Sequence, residues 1–350
     1  MKIFYSTLFT FLALLSSLGA QAQDAAQDTS RQDKEYANPS VEGTPRGRFF
    51  LLRYQRLFSH DFNSTGDWKN LPVSKDARIN TNNVAEIKGF IPIWNNPHFK
   101  AVLGVGYERE EFNFEDSHEL AYLYHENLQD KGLKSLSAQI ATVKPLNYKN
   151  YLVMRVKGAL NGDYTSDELN FNDYLKLTAE ALYGWKKNKY FTWGIGAQAG
   201  YTFGRYSIYP AILYNRTFND RWGIEAVFPA NVKVRRTFSE KSYLYFGYNL
   251  DGYSYNIKVQ KPPFYNSPVF GDIKTIELRH NDVRAQLRWE KEIYDFLWFS
   301  LEGGYRYNIA FDAFRTGSDR DDRLISTNLG GAPYAAVDLY FVVPRAFLKR

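Results

Sequence analysis

The residues of this 350-residue chain that could do metal chemistry are few. His118 and His125 lie in the acidic segment 115–126, where they could hold a metal together with a carboxylate. Their seven-residue spacing is not that of a recognised zinc site, so we interpret the segment as a solvated loop. The run Asp319-Arg320-Asp321-Asp322 resembles a fragment of a calcium loop but lacks the following Gly and the distal Glu. The sequence predicts no metal and no cofactor.

Candidates for nucleophilic catalysis are equally few. There is no cysteine, which excludes thiol catalysis and zinc–thiolate sites. Serine and histidine are adjacent at Ser59-His60 and at Ser117-His118, but a nucleophile and its base normally meet from separate parts of the chain. The sequence therefore predicts a protein that is not an enzyme.

A two-residue period dominates the chain and is clearest between Phe191 and Phe203. Apolar or aromatic residues occupy the odd positions of this stretch, whereas Thr, Gly and Gln occupy the even positions from Thr192 to Thr202. Such alternation predicts a β-strand, because successive side chains leave opposite faces of a sheet. Aromatic rings at both ends of an apolar face are typical of a strand that crosses a bilayer.

The same alternation predicts further strands along the chain. They begin with Arg48–Phe58, Val84–Trp94 and Phe99–Phe112 and end with a strand through Val337 and Phe341. Pro229 cannot donate to a central ladder, so Pro229-Ala230-Asn231 is predicted to be a tight turn between two strands. This break gives fourteen strands, the even number expected of an outer-membrane barrel, and twelve is the alternative.

The connections predict which end of the barrel faces which compartment. Short turns, such as Lys186–Lys189, alternate with longer segments at 59–81, 113–133, 163–171, 260–272 and 312–332. Outer-membrane barrels have short periplasmic turns and longer external loops. The fold class is therefore all-β, an antiparallel transmembrane β-barrel over residues 48–343 with a C-terminal tail at 344–350.

Charged side chains share the face of the strands that is opposite to the apolar residues. If the apolar face meets lipid, this charged face lines the lumen, where it forms either an anion-selective wall or a network of structural ion pairs. The predicted lumen-lining charges are Glu86, Lys88, Arg155, Lys157, Lys176, Glu180, Glu225, Lys233, Arg235, Arg284, Arg288, Glu302, Arg306 and Asp338. Because acids are nearly as frequent as bases among them, we favour the structural network.

Glycines interrupt this face at Gly194, Gly196 and Gly200. They could be mistaken for a phosphate-binding loop, but they lie inside a predicted strand with no helix after it. We expect them to leave room inside the barrel or to allow a local bend. A ligand inside the barrel would be sought first beside these glycines and Gln198.

The N-terminus reads as a secretion signal. Lys2 precedes an apolar run from Ile3 to Leu18, and Ala20-Gln21-Ala22 fits the small-x-small cleavage pattern. Residues 1–22 are therefore a predicted signal peptide, and the aperiodic, Pro- and Gly-containing residues 23–47 a flexible periplasmic lead-in. No later apolar run approaches the roughly 20 residues of a membrane helix.

Composition agrees with a barrel in a membrane. Aromatic residues make up 17% of the chain, although its mean hydropathy is only −0.46. The net charge of +6 comes from interspersed charges without a basic block, so no nucleic-acid partner is predicted.

The chain resembles the signal-bearing outer-membrane barrels of Bacteroidota, specifically a family among them that is a domain of unknown function. The resemblance covers about 48–343 and rests on Ala20-Gln21-Ala22-Gln23, on the segment 222–230 (Trp-Gly-Ile-Glu-Ala-Val-Phe-Pro-Ala) and on the segment 247–255 (Gly-Tyr-Asn-Leu-Asp-Gly-Tyr-Ser-Tyr). It implies an architecture but no active residue.

The sequence thus predicts a non-enzymatic outer-membrane β-barrel, either a narrow pore or a plugged structural barrel with a charged lumen. The alternative is a barrel enzyme acting on lipid through its external loops, or a transporter of hydrophobic compounds. Expected partners are outer-membrane lipid and the barrel-insertion machinery, and a small solute remains possible.

Overall fold

The computed structural model of the protein describes residues 36–66, 74–115, 123–167, 169–201, 204–258, 275–317 and 322–347. The predicted signal peptide at 1–22, His118 and the side chain of His125 lie outside these residues, as do Thr202, Phe203 and most of the acidic run at 319–322. No helix in the described ranges is long and apolar enough to cross a membrane.

Nearly all of the described chain is β-strand. The strands are β1 (Arg48–Leu57), β2 (His60–Gly66), β3 (Ser74–Asn96), β4 (Phe99–Phe114), β5 (Leu133–Pro145), β6 (Asn150–Gly162), β7 (Leu175–Asn188), β8 (Phe191–Gly200), β9 (Ser207–Thr217), β10 (Trp222–Phe228), β11 (Asn231–Ser239), β12 (Ser242–Lys258), β13 (Thr275–Tyr294), β14 (Leu297–Arg315), β15 (Arg323–Leu329) and β16 (Ala332–Val342). Two short helices, α1 (Leu123–Asp130) and α2 (Phe171–Tyr174), and a 3₁₀ turn at Arg345–Phe347 complete the elements.

The sheet closes into an antiparallel barrel because β1 pairs with β3 on one edge and with β16 on the other. β2 continues β1, and β15 continues β16, after breaks at 58–59 and 330–331, so the sixteen segments make a fourteen-stranded wall. The predicted count of fourteen is confirmed, and the alternative of twelve is wrong. The predicted turn at Pro229-Ala230 is present between β10 and β11.

The apolar face of the strands points outward. Ile87, Leu103, Val156 and Leu177 are all exposed, and Ile208 keeps 75% of its surface accessible. Residues at alternate positions, such as Glu86 and Arg288, are buried inside the barrel. A soluble barrel would bury the apolar face instead, so this outward band is the signature of a wall that meets lipid.

Several predicted loops are partly strand. The segment 59–81 holds β2 and the start of β3, and 312–332 holds the end of β14 and all of β15. The strands therefore continue beyond the apolar band, where apolar residues such as Tyr255 and Ile257 still alternate with polar ones but are buried rather than facing lipid. We call this the loop end of the barrel, and the opposite end, where both described termini lie, the turn end.

A bulge toward the loop end of the barrel lies in β14 rather than in β13. The sequence places a change of register near His280-Asn281-Asp282, and the pairing does shift there, because Asn281 pairs with Ala310 while Asp282 pairs with Asn308. The extra residue is Ile309, so β14 changes face, whereas the even positions of β13 stay inside throughout.

Candidate functional site

The fourteen charged residues that the sequence assigns to the inner face are all buried or half-buried inside the barrel. The most tightly packed group surrounds Asp338 of β16, which is 1% exposed. Its carboxylate lies 2.5 Å from the guanidinium of Arg288 and 3.2 Å from that of Arg53, and it accepts a hydrogen bond of 2.8 Å from Ser300. Arg53 also contacts Glu302 at 2.6 Å, so the four strands that close the barrel are joined by one ionic network.

A second ionic group surrounds Asp282, opposite the bulge. Its carboxylate lies 2.9 Å from the Nε2 of His280 and 3.4 Å from a guanidinium nitrogen of Arg284, and it accepts a hydrogen bond of 3.0 Å from Asn308. Arg306, which is buried, lies 4.0 Å from the same carboxylate. This group binds β13 to β14 where their register shifts.

The remaining predicted charges divide into pairs and two exceptions. Lys88 pairs with Glu86, Arg155 with Glu180 at 2.5 Å, Arg235 with Glu225 at 3.0 Å and Lys176 with Glu277 at 3.2 Å. Among the residues that the structure describes, Lys157 and Lys233 form no ion pair. Twelve of the fourteen predicted charges are thus paired with described residues, and two lysines are not.

Half-buried polar side chains face the interior on two parts of the wall, and we call the space that they border the chamber. They are Lys88, Glu108, Ser137, Gln139, Arg155, Lys157, Thr178, Glu180 and Gln198 of β3–β8 and Lys233, Asn249 and Asp251 of β11 and β12. The side chains of Lys88 and Arg155 are 39% and 41% exposed although they point into the barrel. The barrel is therefore packed on the β13–β16 side and roomy on the β3–β8 side.

The glycines of β8 differ in part from the expectation of open space. A Cβ at Gly194 would lie 2.8 Å from the backbone oxygen of Tyr183, and one at Gly196 would overlap the backbone oxygen of Ala181. At these two positions the backbones of β7 and β8 approach closely, and a larger side chain would not fit. The glycines therefore allow the strands to approach and do not add free space to the lumen. Gln198 does line the chamber.

Residues 36–47, which we call the strap, run inside the rim of the turn end. The strap contacts the barrel hairpins in order: Ala37 donates to the Asn147 carbonyl at 3.2 Å, Asn215 donates to the Pro39 carbonyl at 2.9 Å, and Arg235 donates to the Gly43 carbonyl. Ala37 packs in a buried cluster with the inward-facing Tyr151 and Leu213. Residues 36–47 therefore narrow this mouth, unlike the expected flexible lead-in, and residues 23–35 lie outside the described chain.

The strap is fixed at its far end by an ionic cluster at the β13–β14 turn. Arg46 reaches Asp295 at 3.1 Å and Glu292 at 3.2 Å, and Arg345 contacts the same two carboxylates from the C-terminal side. Partial burial tends to raise the pKa of Asp295, but the hydrogen bonds from Arg345 and the charge of Arg46 outweigh it and hold that pKa below its ordinary value. The cluster therefore keeps its charge at neutral pH.

At the loop end, the last described part of β12 and the first of β13 turn into the mouth of the barrel. We call residues 251–258 and 275–282 the inner hairpin. One of its faces carries Tyr255, Ile257, Ile276 and Leu278, which are buried in an apolar core. The other members of this core are Phe62, Ile79, Phe112, Phe114, Leu128, Leu133, Phe311, Ala313, Leu324, Ile325 and Leu329.

The polar face of the inner hairpin packs on the opposite side of the barrel. Asn256 forms a parallel bridge with Gly162 of β6, and Asn161 donates a hydrogen bond of 3.2 Å to the Ser254 carbonyl. Glu277 pairs with Lys176 of β7 and with Arg279 at 2.9 Å. The hairpin thus closes the loop end through an apolar core on one side and a polar contact on the other.

The wall has a notch where the inner hairpin departs. β10 has seven residues, fewer than the roughly 9–11 that a tilted strand needs to cross a bilayer. On either side, β9 continues through 207–211 and β12 through 250–258, and within the described chain no strand lies between them. We call this gap the side notch. Its lower corner is closed by a hydrogen bond of 2.7 Å from Leu250 to the Ala230 carbonyl, and toward the loop end Gly204 of the β8–β9 turn lies against Arg279 and His280.

The described histidines and serines do not assemble a nucleophile. The Nδ1 of His60 lies 2.8 Å from the Phe58 carbonyl, while Ser59 accepts a hydrogen bond from Arg78. His280 pairs with Asp282, but its ring makes no hydrogen bond to a hydroxyl of any described residue. No group of three metal-ligating side chains occurs among the described residues.

Sequence reasoning omitted several charged residues of the lumen. Arg48 and Glu290 pair inside the wall, where Tyr340 donates a hydrogen bond of 2.8 Å to Glu290. Arg53, Asp282 and Glu277 were equally absent from the predicted set. The alternation of Arg53 with Leu52 and of Asp282 with Val283 indicates the inner face, whereas the buried Leu278 beside Glu277 gives no such signal.

The comparisons with solved structures return outer-membrane proteins at low identity. An outer membrane channel from Pseudomonas putida F1 is 11% identical with a TM-score of 0.41, covering 90% of this chain and 100% of that one. The P. putida toluene transporter TodX is 9% identical with a TM-score of 0.38, covering 88% and 93%. A Pseudomonas aeruginosa FadL homologue is 9% identical with a TM-score of 0.38, covering 84% and 90%.

No curated protein matches the sequence. The sequence model of one family, described as a domain of unknown function, matches residues 121–315. This match reaches from α1 to the end of β14 and includes the chamber wall of β5–β8, the side notch and the inner hairpin. Because it spans more than half of the chain, the protein belongs to that family, DUF6268.

Proposed function

We propose that the protein is a non-enzymatic channel of the outer membrane that is held closed along its axis and passes small polar solutes through a charged lumen. The outward apolar band supports the membrane location, because a soluble barrel would expose this surface to water at high cost. Outer-membrane lipid and the insertion machinery are its expected partners, after cleavage of the signal peptide near Ala22.

The chamber is the observation that carries this proposal. A barrel built only as a scaffold would fill its interior, as the Asp338 network does on the other side. Instead, inward-facing polar side chains on β3–β8 remain accessible between the strap and the inner hairpin. Such a space, with obstructions made by the chain itself, is the arrangement of a gated pore.

A second candidate function follows from the side notch. An opening in the wall beside the bilayer would let a hydrophobic compound pass between lipid and chamber without crossing the mouth. The exposed Ile208 at the edge of the notch favours this transporter. The polar lining of the chamber argues against it as the main function.

Location and transport are tested separately. Outer-membrane fractionation and a heat-dependent shift in gel mobility are expected for the full chain, and a soluble periplasmic product would contradict the proposal. Swelling of proteoliposomes in an isosmotic sugar would support a polar channel, whereas uptake of naphthalene without swelling would support the hydrophobic transporter.

A further inference from the structure

We propose that the chamber wall of β3–β6 is a binding site for an oxyanion, a carboxylate or phosphate group, with Lys157 as its central contact. The inference rests on the proposed function in one respect, because the ligand would reach the chamber as a solute of the barrel. It names the chemical class of that solute.

The first argument is the distribution of charge around Lys157. Arg155, two residues earlier on the same strand, is neutralised by Glu180, its cross-strand partner in β7. Lys157 lies between Gln139 of β5 and Thr178 of β7, which are both neutral. No described carboxylate lies within ion-pair distance of its ammonium group.

The second argument is that the acids of the same wall leave Lys157 without a salt bridge. Glu86 pairs with Lys88 on its own strand, and Glu108, the cross-strand partner of Glu86, is a half-buried inward carboxylate that forms no ion pair with Lys157. An ammonium group that is half-buried without a partner is costly, since burial removes part of its hydration. A bound anion would remove that cost.

The third argument is the shape of the wall beside Lys157. Gly106 has no side chain, and the Cγ of Lys88 lies only 3.3 Å from where its Cβ would be. Gln139 lies over Gly104 in the same way, with its Cγ and Nε2 each 2.9 Å from the corresponding point. The two glycines let these side chains lie flat along the wall, so the stem of Lys88 lies over Gly106 while its ammonium group contacts Glu86 on β3.

The resulting group contains two cations, Lys157 and Arg155, that keep N–H donors directed toward the chamber. The side-chain amide of Gln139 can donate beside them. Arg155 uses one guanidinium nitrogen for Glu180, at 2.5 Å, and its side chain remains 41% exposed. Lysine and arginine beside neutral donors form a general recognition pattern for carboxylates and phosphates. The part of the wall around Lys157 and Arg155 therefore offers its donors to an oxyanion, whereas Glu86 and Glu108 lie on the β3–β4 side of the same wall.

The oxyanion could belong to a soluble solute or to the head of an amphiphile that enters by the side notch. Calorimetric titration of the full-length protein in a neutral detergent at low ionic strength separates these sources. The probes are inorganic phosphate, dodecanoate and, as the uncharged control, dodecanol. Saturable binding of phosphate indicates a soluble ligand, whereas binding of dodecanoate alone indicates an amphiphile, and either supports the site.

The variants are Lys157→Gln, Lys157→Arg and Lys144→Gln. Lys144 is an exposed lysine near the turn end of β5, so its substitution makes the same charge change away from the site. We expect Lys157→Gln to weaken binding by about tenfold or more, as loss of a charged hydrogen bond implies. Lys157→Arg should retain most of the affinity, and Lys144→Gln all of it.

The proposal is overturned if the wild type binds neither anion, if dodecanol binds as well as dodecanoate, or if Lys157→Gln binds like the wild type. Gel mobility before and after heating shows that each variant is folded. Because binding in detergent requires no transport, a protein that binds anions but passes no solute would refute the channel and leave the site intact.

Discussion

Asn256 of β12 pairs with Gly162 of β6 across the loop end of the barrel, although six strand-to-strand steps separate these strands around the wall. The pairing requires a glycine. A Cβ at residue 162 would lie 2.5 Å from the Asn256 carbonyl oxygen and would overlap the ring of Tyr174. This contact fixes the polar side of the inner hairpin.

Replacing this glycine should loosen the hairpin. We expect Gly162→Val to speed amide hydrogen exchange in residues 251–258, because the added side chain displaces both Asn256 and the ring of Tyr174. Exchange in β14 and β16, which do not contact residue 162, should be unchanged. Gly89→Ala is the matched control, since the nearest atom to a Cβ there is 3.7 Å away, an ordinary contact. Equal exchange in the two variants would show that the contact does not hold the hairpin.

The network around Asp338 should carry stability. Asp338→Asn removes the charge of one of the two buried carboxylates that Arg288 and Arg53 share, Glu302 being the other. We therefore expect a loss of about 3–5 kcal/mol in the free energy of unfolding. Urea titration of the folded band on gels measures it. Asp251→Asn is the control, because Asp251 is partly exposed and its one contact with Arg284 is 3.7 Å long. A loss below about 1 kcal/mol is expected there, and similar losses in both variants would contradict the prediction.

Arg235 should hold the strap through its forked guanidinium. It donates to the Gly43 carbonyl and, at 2.9 Å each, to Thr217 and Thr237. Arg235→Lys keeps the charge but cannot make these contacts together, so residues 36–47 should become sensitive to protease. Arg236→Lys, on the outer face beside Trp222, should leave the strap protected. If residues 36–47 stay resistant to protease in Arg235→Lys, contacts other than those of Arg235 hold the strap in place.

The ionic cluster at the β13–β14 turn should depend on pH. Because the pKa of Asp295 is held below its ordinary value, its contribution to stability is complete above that ordinary value, about 3.9, and is lost as the pH falls through the lowered one. We expect the protection factors at residues 345–347, which correct amide exchange for its intrinsic pH dependence, to fall below about pH 4. Asp295→Asn should show the same loss of protection already at pH 7, unlike Asp220→Asn in the β9–β10 turn. A flat pH response of the wild type would exclude this role.

The sequence predicts the wall well because lipid imposes a strict period of two. The strand count and the turn at Pro229 both follow from that period, and Pro229 is the residue that makes the count even. The outward direction of the apolar face is a consequence of the same constraint. These features are local, so one strand at a time is enough to predict them.

The closure of the barrel is not visible in the sequence because it depends on contacts between distant strands. Tyr255 and Ile257 alternate with polar residues just as lipid-facing residues do, yet they are buried in an inner core. Beyond the apolar band, alternation no longer distinguishes the outside from the inside. The strap lacks any period, since hydrogen bonds to successive hairpins rather than a ladder position its backbone.

The lumen charges are only partly predictable from the sequence, unlike the wall, which is predicted well, and the closure, which is not predicted. Alternation predicts that Arg155 and Lys157 share the inner face, but only the pairing of β6 with β7 shows that Glu180 lies opposite the first and Thr178 opposite the second. The difference between a structural pair and an unpaired lysine is therefore a property of register.

Single-channel recording in planar bilayers tests the central claim most directly, that the barrel is a channel closed by its own chain. We expect the wild type to give rare, small openings and Gly162→Val to give larger, stepwise openings once the inner hairpin is loosened. Large, steady openings of the wild type, or silence of both proteins, would contradict the account.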